Sequence, residues 1–485
     1  MATPVELEPA DDESSAPAGK LAAQTARRIE VDVMRRGWPV GESLGSEVDL
    51  RERLGVSRSV LREAVRLVEH HQVARMRRGP NGGLLVRAPD AGPATRSIVI
   101  YLEYVGTSVA DLLDARLLLE PIAAGLATER LTEDGVDALR AMVDGPPSAE
   151  HSAYEPLHPL LGRLSGNPVL HLFIDVLTRL TTRFAHTSRR IPKAELLASE
   201  ETSHAVHRAI VDAVVAGDDA RAQTLLTEHL EWVAAWVERH RVRRARVAGP
   251  VIEPEMVEGP RAKLAEVVAA RIHDDIAAGG WRIGSVLGSE ADLLGRYGIS
   301  RAVLREAVRL LEYHSVARMR RGPGGGLVVA EPEPRASIDT MALFLGYQGV
   351  TADHLRVVRD AIELRTVAEV TARHAGGAAE VAERLSAAVR WTTEGPADEQ
   401  RKADLFHAEL ADLAGNPVLT LFLDIITELF RRHGATQDQS LPGDTAAEEV
   451  RLVHQRILDA IVDGDTGLAR GRMRKHLNAV LSWWH

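Results

Sequence analysis

Six histidines fall into two matching sets: His158, His207 and His229 in the first half of the chain, and His407, His454 and His476 in the second. The separations are 49 and 22 residues in the first set and 47 and 22 in the second. Imidazoles brought together from three helices of a bundle can converge on a divalent metal, normally with a carboxylate completing the shell and positions left open for water or a ligand. Partly buried, hydrogen-bonded histidines are the alternative at such positions. A hydrolytic metal centre would also need a general base beside the open position. No residue is convincingly placed for that role, so the chain is not expected to be an enzyme.

A second chemistry sits on Ser57 to Leu67, SRSVLREAVRL, which recurs as Ser300 to Leu310, SRAVLREAVRL. The surrounding blocks, Leu44 to Val86 and Leu287 to Val329, agree at 32 of 43 positions with a constant offset of 243. Repetition at that spacing means duplicated domains, not a solenoid. Val60, Leu61, Ala64, Val65, Leu67 and Val68 make an apolar stripe, while Arg58, Arg62 and Arg66 fall at intervals of four along another face. Arginine at the start of an exposed helix can donate two hydrogen bonds to guanine N7 and O6 in a major groove. Ser57 and Ser300, with the first amides of their helices, suit a phosphate. Arg77 and Arg78, like Arg320 and Arg321, stand beside glycines that let a loop follow the DNA backbone. The competing reading pairs these arginines with Glu63 or Glu69.

Charge is partitioned accordingly. The chain carries a formal net charge of −10. Between Arg51 and Arg87, however, nine Arg stand against three Glu, and between Leu294 and Ala330 seven Arg stand against two. Two basic islands in an acidic protein produce the local field that phosphates meet. With Cys 0, disulfides and thiolate metal sites are excluded, in keeping with a reducing cytoplasm. No apolar run approaches the roughly 18 residues needed to cross a bilayer, so no membrane partner is expected.

Positioning these groups takes a small set of elements. Apolar spacing predicts a helix over Leu21 to Arg36, stopped by Gly37. Ser46 caps a second helix through Leu54, Gly55-Val56 makes a tight turn, and Ser57 caps a third helix. VARMRRGPNGGLLV then reads as a hairpin around a Gly-rich turn. The second copy runs Leu264 to Ile276, Ser289 to Tyr297, Ser300 to His314 and Val316 to Val329. The expected fold is mainly α: two winged helix-turn-helix domains, each with a small β-hairpin wing and each followed by an all-α helical bundle. The expected boundaries are a disordered tail over 1–20, winged helices at 21–89 and 261–332, helical domains at 93–240 and 336–485, and a linker over 241–260. Pro156 and Pro159 flank His158 and are expected to bend or end its helix.

The pattern GSE...LGVSRSVLREAVRLVE...RRGPNGG resembles the DNA-binding domain of the GntR superfamily of bacterial regulators. The following helical domain carries R-x-x-x-E, H-x-x-L, GNP and H-x-x-I-x-x-A, and resembles the FadR-like branch with its FCD effector domain. The likeness runs over nearly the whole chain, twice. It implies that Arg58, Arg62, Arg78 and Gly79, with Arg301, Arg305, Arg321 and Gly322, contact operator DNA. Val48 and Ala291 occupy a place where the family often has Arg. The resemblance also implies metal sites in the helical domains, for zinc, manganese or nickel. The family's acidic ligand usually lies four residues before the first histidine, where this chain has Tyr154 and Ala403. Glu155 and Asp404, three residues before it, are the available substitutes, and the second site is the better formed on this reading. Arg116 and Arg359 match positions that face an effector cavity and can hold a carboxylate by a bidentate pair. A structural ion pair with Glu120 or Glu363 is the alternative.

These readings together predict a ligand-responsive transcriptional regulator, in the repressor mode commoner in the family, with double-stranded operator DNA and a small-molecule effector as partners. The linker from Arg241 to Lys263 reaches roughly 75 Å at about 3.3 Å per residue. Half-sites one turn apart are separated by about 34 Å, so one chain can act as a pseudo-dimer, which can still pair with another copy as a homodimer. A metal-sensing regulator is the second reading, and a metal-dependent enzyme the third.

Overall fold

The computed structural model describes residues 18–77, 79, 82–89, 91–144, 157–186, 193–240, 260–320, 322, 324–332, 334–377, 379–390, 396–436 and 444–481. The tail over 1–17, the linker up to residue 259, Arg78, Arg321 and Glu155 lie outside them, as does the side chain of Asp404. The chain divides by packing into one unit of residues 1–90, with 435–437, and a second of 91–434 and 438–485.

The first unit holds α1 (Ala18–Arg35), α2 (Glu47–Leu54), α3 (Arg58–His70), β1 (Ala74–Arg77) and β2 (Gly83–Val86). Ser46 accepts from the Asp49 amide while Asp49 bonds back to the Ser46 amide, so two otherwise orphaned donors are satisfied at the start of α2. Gly55 ends that helix in the left-handed region, at φ 68°. Ser57 caps α3 by accepting from Val60 N. Leu61, Ala64 and Val68 of α3 and Val33 of α1 are fully buried, with Ile29 of α1 nearly so. The hairpin pairs Ala74 with Val86 through Arg77 with Gly83. An isolated bridge, not foreseen from sequence, pairs Ser43 with Leu85 beside this two-stranded sheet. The chain there runs so close that a Cβ on Gly83 would stand 2.4 Å from Ser43 Oγ.

In the second unit the same order recurs as α11 (Pro260–Ala278), β3 (Val286–Gly288), α12 (Glu290–Tyr297), α13 (Arg301–Tyr313), β4 (Ala317–Arg320) and β5 (Gly326–Val329). Here the extra strand β3 is complete, in the sheet order β3-β5-β4. Gly326 is required for the same reason as Gly83, since its Cβ would lie 2.4 Å from Gly288 O.

The rest of this unit is helical. One block holds α4 (Ala91–Tyr104), α5 (Val109–Glu129), α6 (Glu133–Val143), α7 (Leu157–Leu164), α8 (Pro168–His186), α9 (Lys193–Val215) and α10 (Asp219–His240). The other holds α14 (Pro334–Tyr347), α15 (Ala352–Ala375), α16 (Ala379–Arg390), α17 (Pro396–Ala414), α18 (Pro417–Thr436), α19 (Asp444–Val462) and α20 (Thr466–Leu481). One continuous apolar core runs from Leu112, Phe173 and Leu177 of the first block to Leu355, Phe422 and Ile426 of the second. Among the described residues no helix is long and apolar enough to cross a membrane.

Pro159 does not break its helix. It lies in the first turn of α7, where an amide has no intrahelical acceptor to lose. The asymmetry between the blocks is instead one of length: His158 sits on a helix of 8 residues, His407 on one of 19.

Candidate nucleic-acid interface and histidine sites

Ser57, Arg58 and Arg62 lie exposed along the first two turns of α3, and Ser300, Arg301 and Arg305 lie exposed on α13. Arg58 Nε donates to Glu47 Oε1 at 2.7 Å, and Arg62 Nε stands 3.4 Å from the same oxygen. The Arg58 hydrogen bond outweighs the opposing cost of burial and, with the charges of Arg58, Arg62 and Arg51, holds the Glu47 carboxyl below its usual value. In the other copy Arg301 and Glu290 are 3.6 Å apart. The expected competing partner Glu63 takes Arg66 instead. Glu69 takes neither Arg58 nor Arg62, since its Oε1 accepts the Met76 amide at 2.8 Å; Glu312 does the same for Met319 at 3.0 Å. These carboxylates fasten each hairpin to the helix beside it, a role the sequence spacing did not signal.

Arg77 and Arg320 stand exposed at the ends of the first strands of the two hairpins, and Arg320 donates to Gly324 O at 2.9 Å. Gly79 and Gly322 follow at φ 104° and 99°, with open space where a Cβ would be. Val48, at the position where arginine is frequent in the resembled family, is 57% exposed. Exposed ion pairs of this kind contribute little to stability, which leaves the guanidinium groups available to exchange a carboxylate for a phosphate or a base.

The histidines come from three helices in each block: α7, α9 and α10 for His158, His207 and His229, and α17, α19 and α20 for His407, His454 and His476. In each set one ligating atom per residue lies within 4.8 Å of the other two. His207 and His229 bring their Nε2 atoms to 3.1 Å. His476 Nε2 stands 3.2 Å from that of His407 and 3.1 Å from that of His454. Nitrogens bound at about 2.0–2.1 Å to one ion stand roughly 2.8–3.0 Å apart in octahedral and roughly 3.3–3.4 Å apart in tetrahedral geometry, so the donor sets fit a divalent metal. Burial, with the charge of His407 adding to it, pushes His454 well below its ordinary value and His476 down to about 3. Both rings are therefore neutral near pH 7, the state in which imidazole ligates.

Behind each set stands a carboxylate. Glu120 Oε2 bonds His158 Nδ1 at 2.5 Å, and Glu363 Oε2 bonds His407 Nδ1. The other oxygen of each accepts Nε of Arg116 or Arg359 at 2.6 Å. Burial alone would raise both carboxyls. The charges of Arg116 and His158 outweigh it at Glu120, and those of His407 and Arg359 at Glu363, bringing each to about 2. A carboxylate on the far nitrogen fixes ring orientation and the protonated nitrogen of a metal-ligating histidine. Arg116 is 1% exposed, and the side chain of Arg359 is 15% exposed and lies over the Phe430 ring at 5.5 Å. Both arginines thus make the ion pair that sequence reading held as the alternative to effector binding.

The GNP landmarks join the two blocks. Asn167 Oδ1 accepts Val169 N at the start of α8, while its Nδ2 donates to His354 O of the second block at 3.0 Å. Asn416 repeats both bonds, capping α18 and donating to Asp111 O at 3.1 Å.

Comparison with known proteins places these features. The family described as "FCD domain" matches residues 111–231 and 354–479, together just over half of the chain. "Bacterial regulatory proteins, gntR family" matches 264–327. The chain is similar to the HTH-type transcriptional repressor NanR of Cronobacter sakazakii, with 25% identity over 242 residues, 47% of this chain and 89% of that protein. It is also similar to the HTH-type transcriptional regulator LutR of Bacillus subtilis, 27% identical over 196 residues, 39% of this chain and 89% of that protein. Among solved structures, Streptococcus agalactiae GntR matches with 26% identity and a TM-score of 0.32, covering 44% of this chain and 99% of that one. With the FCD domain matched in both helical blocks, over just more than half of its length, the chain belongs to the FCD-domain family, and its residues 264–327 match the gntR family of bacterial regulatory proteins.

Proposed function

We propose that this regulator reads two similar DNA half-sites with one polypeptide, α3 engaging one and α13 the other, under the control of small-molecule effectors bound in the helical blocks. The observation that carries this reading is the recurrence of one capped helix, with arginine exposed at the same two positions, in α3 and α13. Relatives that span most of their own length on less than half of this chain support a tandem duplication. So does the core shared by the two helical blocks, which gives one chain the arrangement of a dimer. Arg58, Arg62, Arg301 and Arg305 would face base edges. Arg77, Arg78, Arg320 and Arg321, with Gly79 and Gly322, would follow the backbone, and Ser57 and Ser300 would stand at the phosphate. The expected action is repression, set by an effector that binds one arrangement of the chain better than another.

His158, His207 and His229 would hold one divalent ion, and His407, His454 and His476 a second. Zinc, manganese and nickel all accept such nitrogen donors, and a bound ion supplies coordination positions for a carboxylate-bearing effector. Arg116 and Arg359 hold the Glu that orients one ligand of each set, so they tune the site from behind. A metal-sensing regulator is the second reading, favoured by the all-nitrogen sets themselves. Titrating DNA affinity against the three metals, with and without organic acids, separates the two.

The test of DNA reading uses a duplex selected by the wild-type chain from a random pool. Arg62→Ala combined with Arg305→Ala should abolish footprint protection, and a double variant that still protects the selected sequence would sink the proposal.

A further inference from the structure

Helix α4 has two working faces. Ile98, Val99 and Leu102 enter the core of the helical body, with Leu112 and Leu119 of α5. Ser97, Ile100 and Tyr104, at i, i+3 and i+7, form the other stripe. Ile100, 3% exposed, belongs to the core of the second winged helix, with Val268, Ile272, Leu304 and Leu311. Ser97 Oγ and His314 Nδ1 form a buried hydrogen bond of 2.9 Å, and His314 is the residue that closes the C-terminus of α13. Tyr104 donates to Glu331 Oε1 at 2.9 Å and sets its ring edge-on to Trp281, 5.4 Å between centroids. His273 of α11 completes the contact, its Nε2 3.5 Å from Glu103 Oε2 with both side chains buried.

We infer that α4, a helix of the first half, is the mount of the second half's reading helix, so that signals from the first helical block act on α13. The inference rests on the proposed reading of α13 as a DNA-contacting helix. The wiring is short. Four residues, Val105 to Ser108, connect α4 to α5, and α5 carries Glu120, which bonds His158 and is itself bonded by Arg116. An occupant that displaces Glu120 displaces α5, and the shared core of α4 and α5 carries that displacement into the stripe seated on α11 and α13. Such a connection shifts DNA affinity only by the difference between its two packings. The chain order makes it crosswise: the block that senses follows the first winged helix, and the reader it supports is the second.

Hydrogen–deuterium exchange on the full chain tests the mount without DNA or ligand. Removing a buried isoleucine side chain costs enough that Ile100→Ala should accelerate exchange across 301–313 by about tenfold or more, with 58–70 and the body helix at 417–436 unchanged. Ser97→Ala, which only removes the bond to His314, should move 301–313 in the same direction by less, and it decides the matter should Ile100→Ala unfold the body. Unchanged exchange at 301–313 in both variants, or an equal rise at 58–70, overturns the inference. The wiring is tested by Glu120→Gln, expected to raise exchange at 301–313 at least about twofold more than Glu363→Gln does; an equal or reversed order overturns it. On the duplex selected by the wild-type chain, Ile100→Ala should lose the half-site lost by Arg305→Ala and keep the one lost by Arg62→Ala, and loss of the other half-site overturns the inference. If the wild-type chain selects no duplex at all, the DNA reading falls while the exchange results still decide the mount.

Discussion

Phe173 and Phe422 stack face to face, 3.7 Å between ring centroids and 11° between planes. They occupy equivalent positions, each seven residues after the Gly of its GNP landmark. Equivalent residues meet each other only on a two-fold axis, so this pair marks the pseudo-symmetry axis of the helical blocks. Asn167 reaching His354 and Asn416 reaching Asp111 are the reciprocal contacts that such an axis requires.

Replacing either ring should therefore damage the contact between the halves. Phe173→Ala and Phe422→Ala should each cost about 3–5 kcal/mol. The double variant should cost less than their sum by about 0.5–1.5 kcal/mol, the coupling of an aromatic pair. Urea unfolding of the four proteins in the cycle measures this. Full additivity would show that the stack contributes no more than burial.

The two asparagines combine a cap with a bridge, and substitutions can separate the two. Asn167→Asp keeps the oxygen that accepts Val169 N but loses the Nδ2 donor to His354 O, whereas Asn167→Ala loses both. Alanine should cost about 1 kcal/mol more than aspartate from the missing cap. Thermal unfolding of the pair, repeated at Asn416, provides the comparison.

Arg77 and Arg320 are expected to meet phosphates and not bases. Arg77→Ala with Arg320→Ala should weaken binding about equally on selected and random duplexes, and should lower the slope of log affinity against log salt by about 2. Fluorescence anisotropy from low to moderate salt reads both effects. A loss confined to the selected sequence would instead mark them as base readers.

The histidine sets predict a stoichiometry. The wild-type chain should bind two zinc ions, His229→Ala one, His476→Ala one, and the double variant none, as counted by calorimetric titration. Chelation should lower the thermal midpoint of the wild-type chain and leave the double variant unmoved, since metal binding stabilises only the folded form.

Acid should loosen the short capped helices first. Asp49 and Asp292 are held below the ordinary carboxyl value by their bonds to Ser46 and Ser289. A depressed folded value means that the stabilisation is complete above the ordinary pKa of about 3.9 and is lost as pH falls through the folded value. Asp292→Asn, which does not titrate, should flatten the acid limb of α12 unfolding, followed by hydrogen exchange over 290–297. An unchanged limb would show that the capping box carries no part of it.

Much of the local architecture is legible in the residues. Ser46, Ser57, Ser289 and Ser300 are caps because a hydroxyl before an apolar period satisfies amides that the helix leaves orphaned. The two histidine sets are visible because matching spacing, 49 and 22 residues against 47 and 22, puts them in equivalent places. The bridge at Ser43 beside the first hairpin and the third strand beside the second were not legible, since their only signal is a glycine, Gly83 or Gly326, that a close neighbour requires. Nor was the roll of Glu47 as partner of Arg58 and Arg62, because that pairing joins two helices whose approach the sequence does not state.

By itself the sequence determined the capped helices and hairpins around the arginines, the recurrence of that block, the arginine faces and the identity of the six histidines, all of which follow from periodicity, capping and repeat spacing. Only the tertiary structure decided that Phe173 meets Phe422, that Glu120 and Glu363 stand between an arginine and a histidine, and that Ile100 of the first half is buried in the second winged helix. Those are contacts between residues far apart in the chain, and which apolar stripe covers which is settled by packing the whole, not by any local pattern.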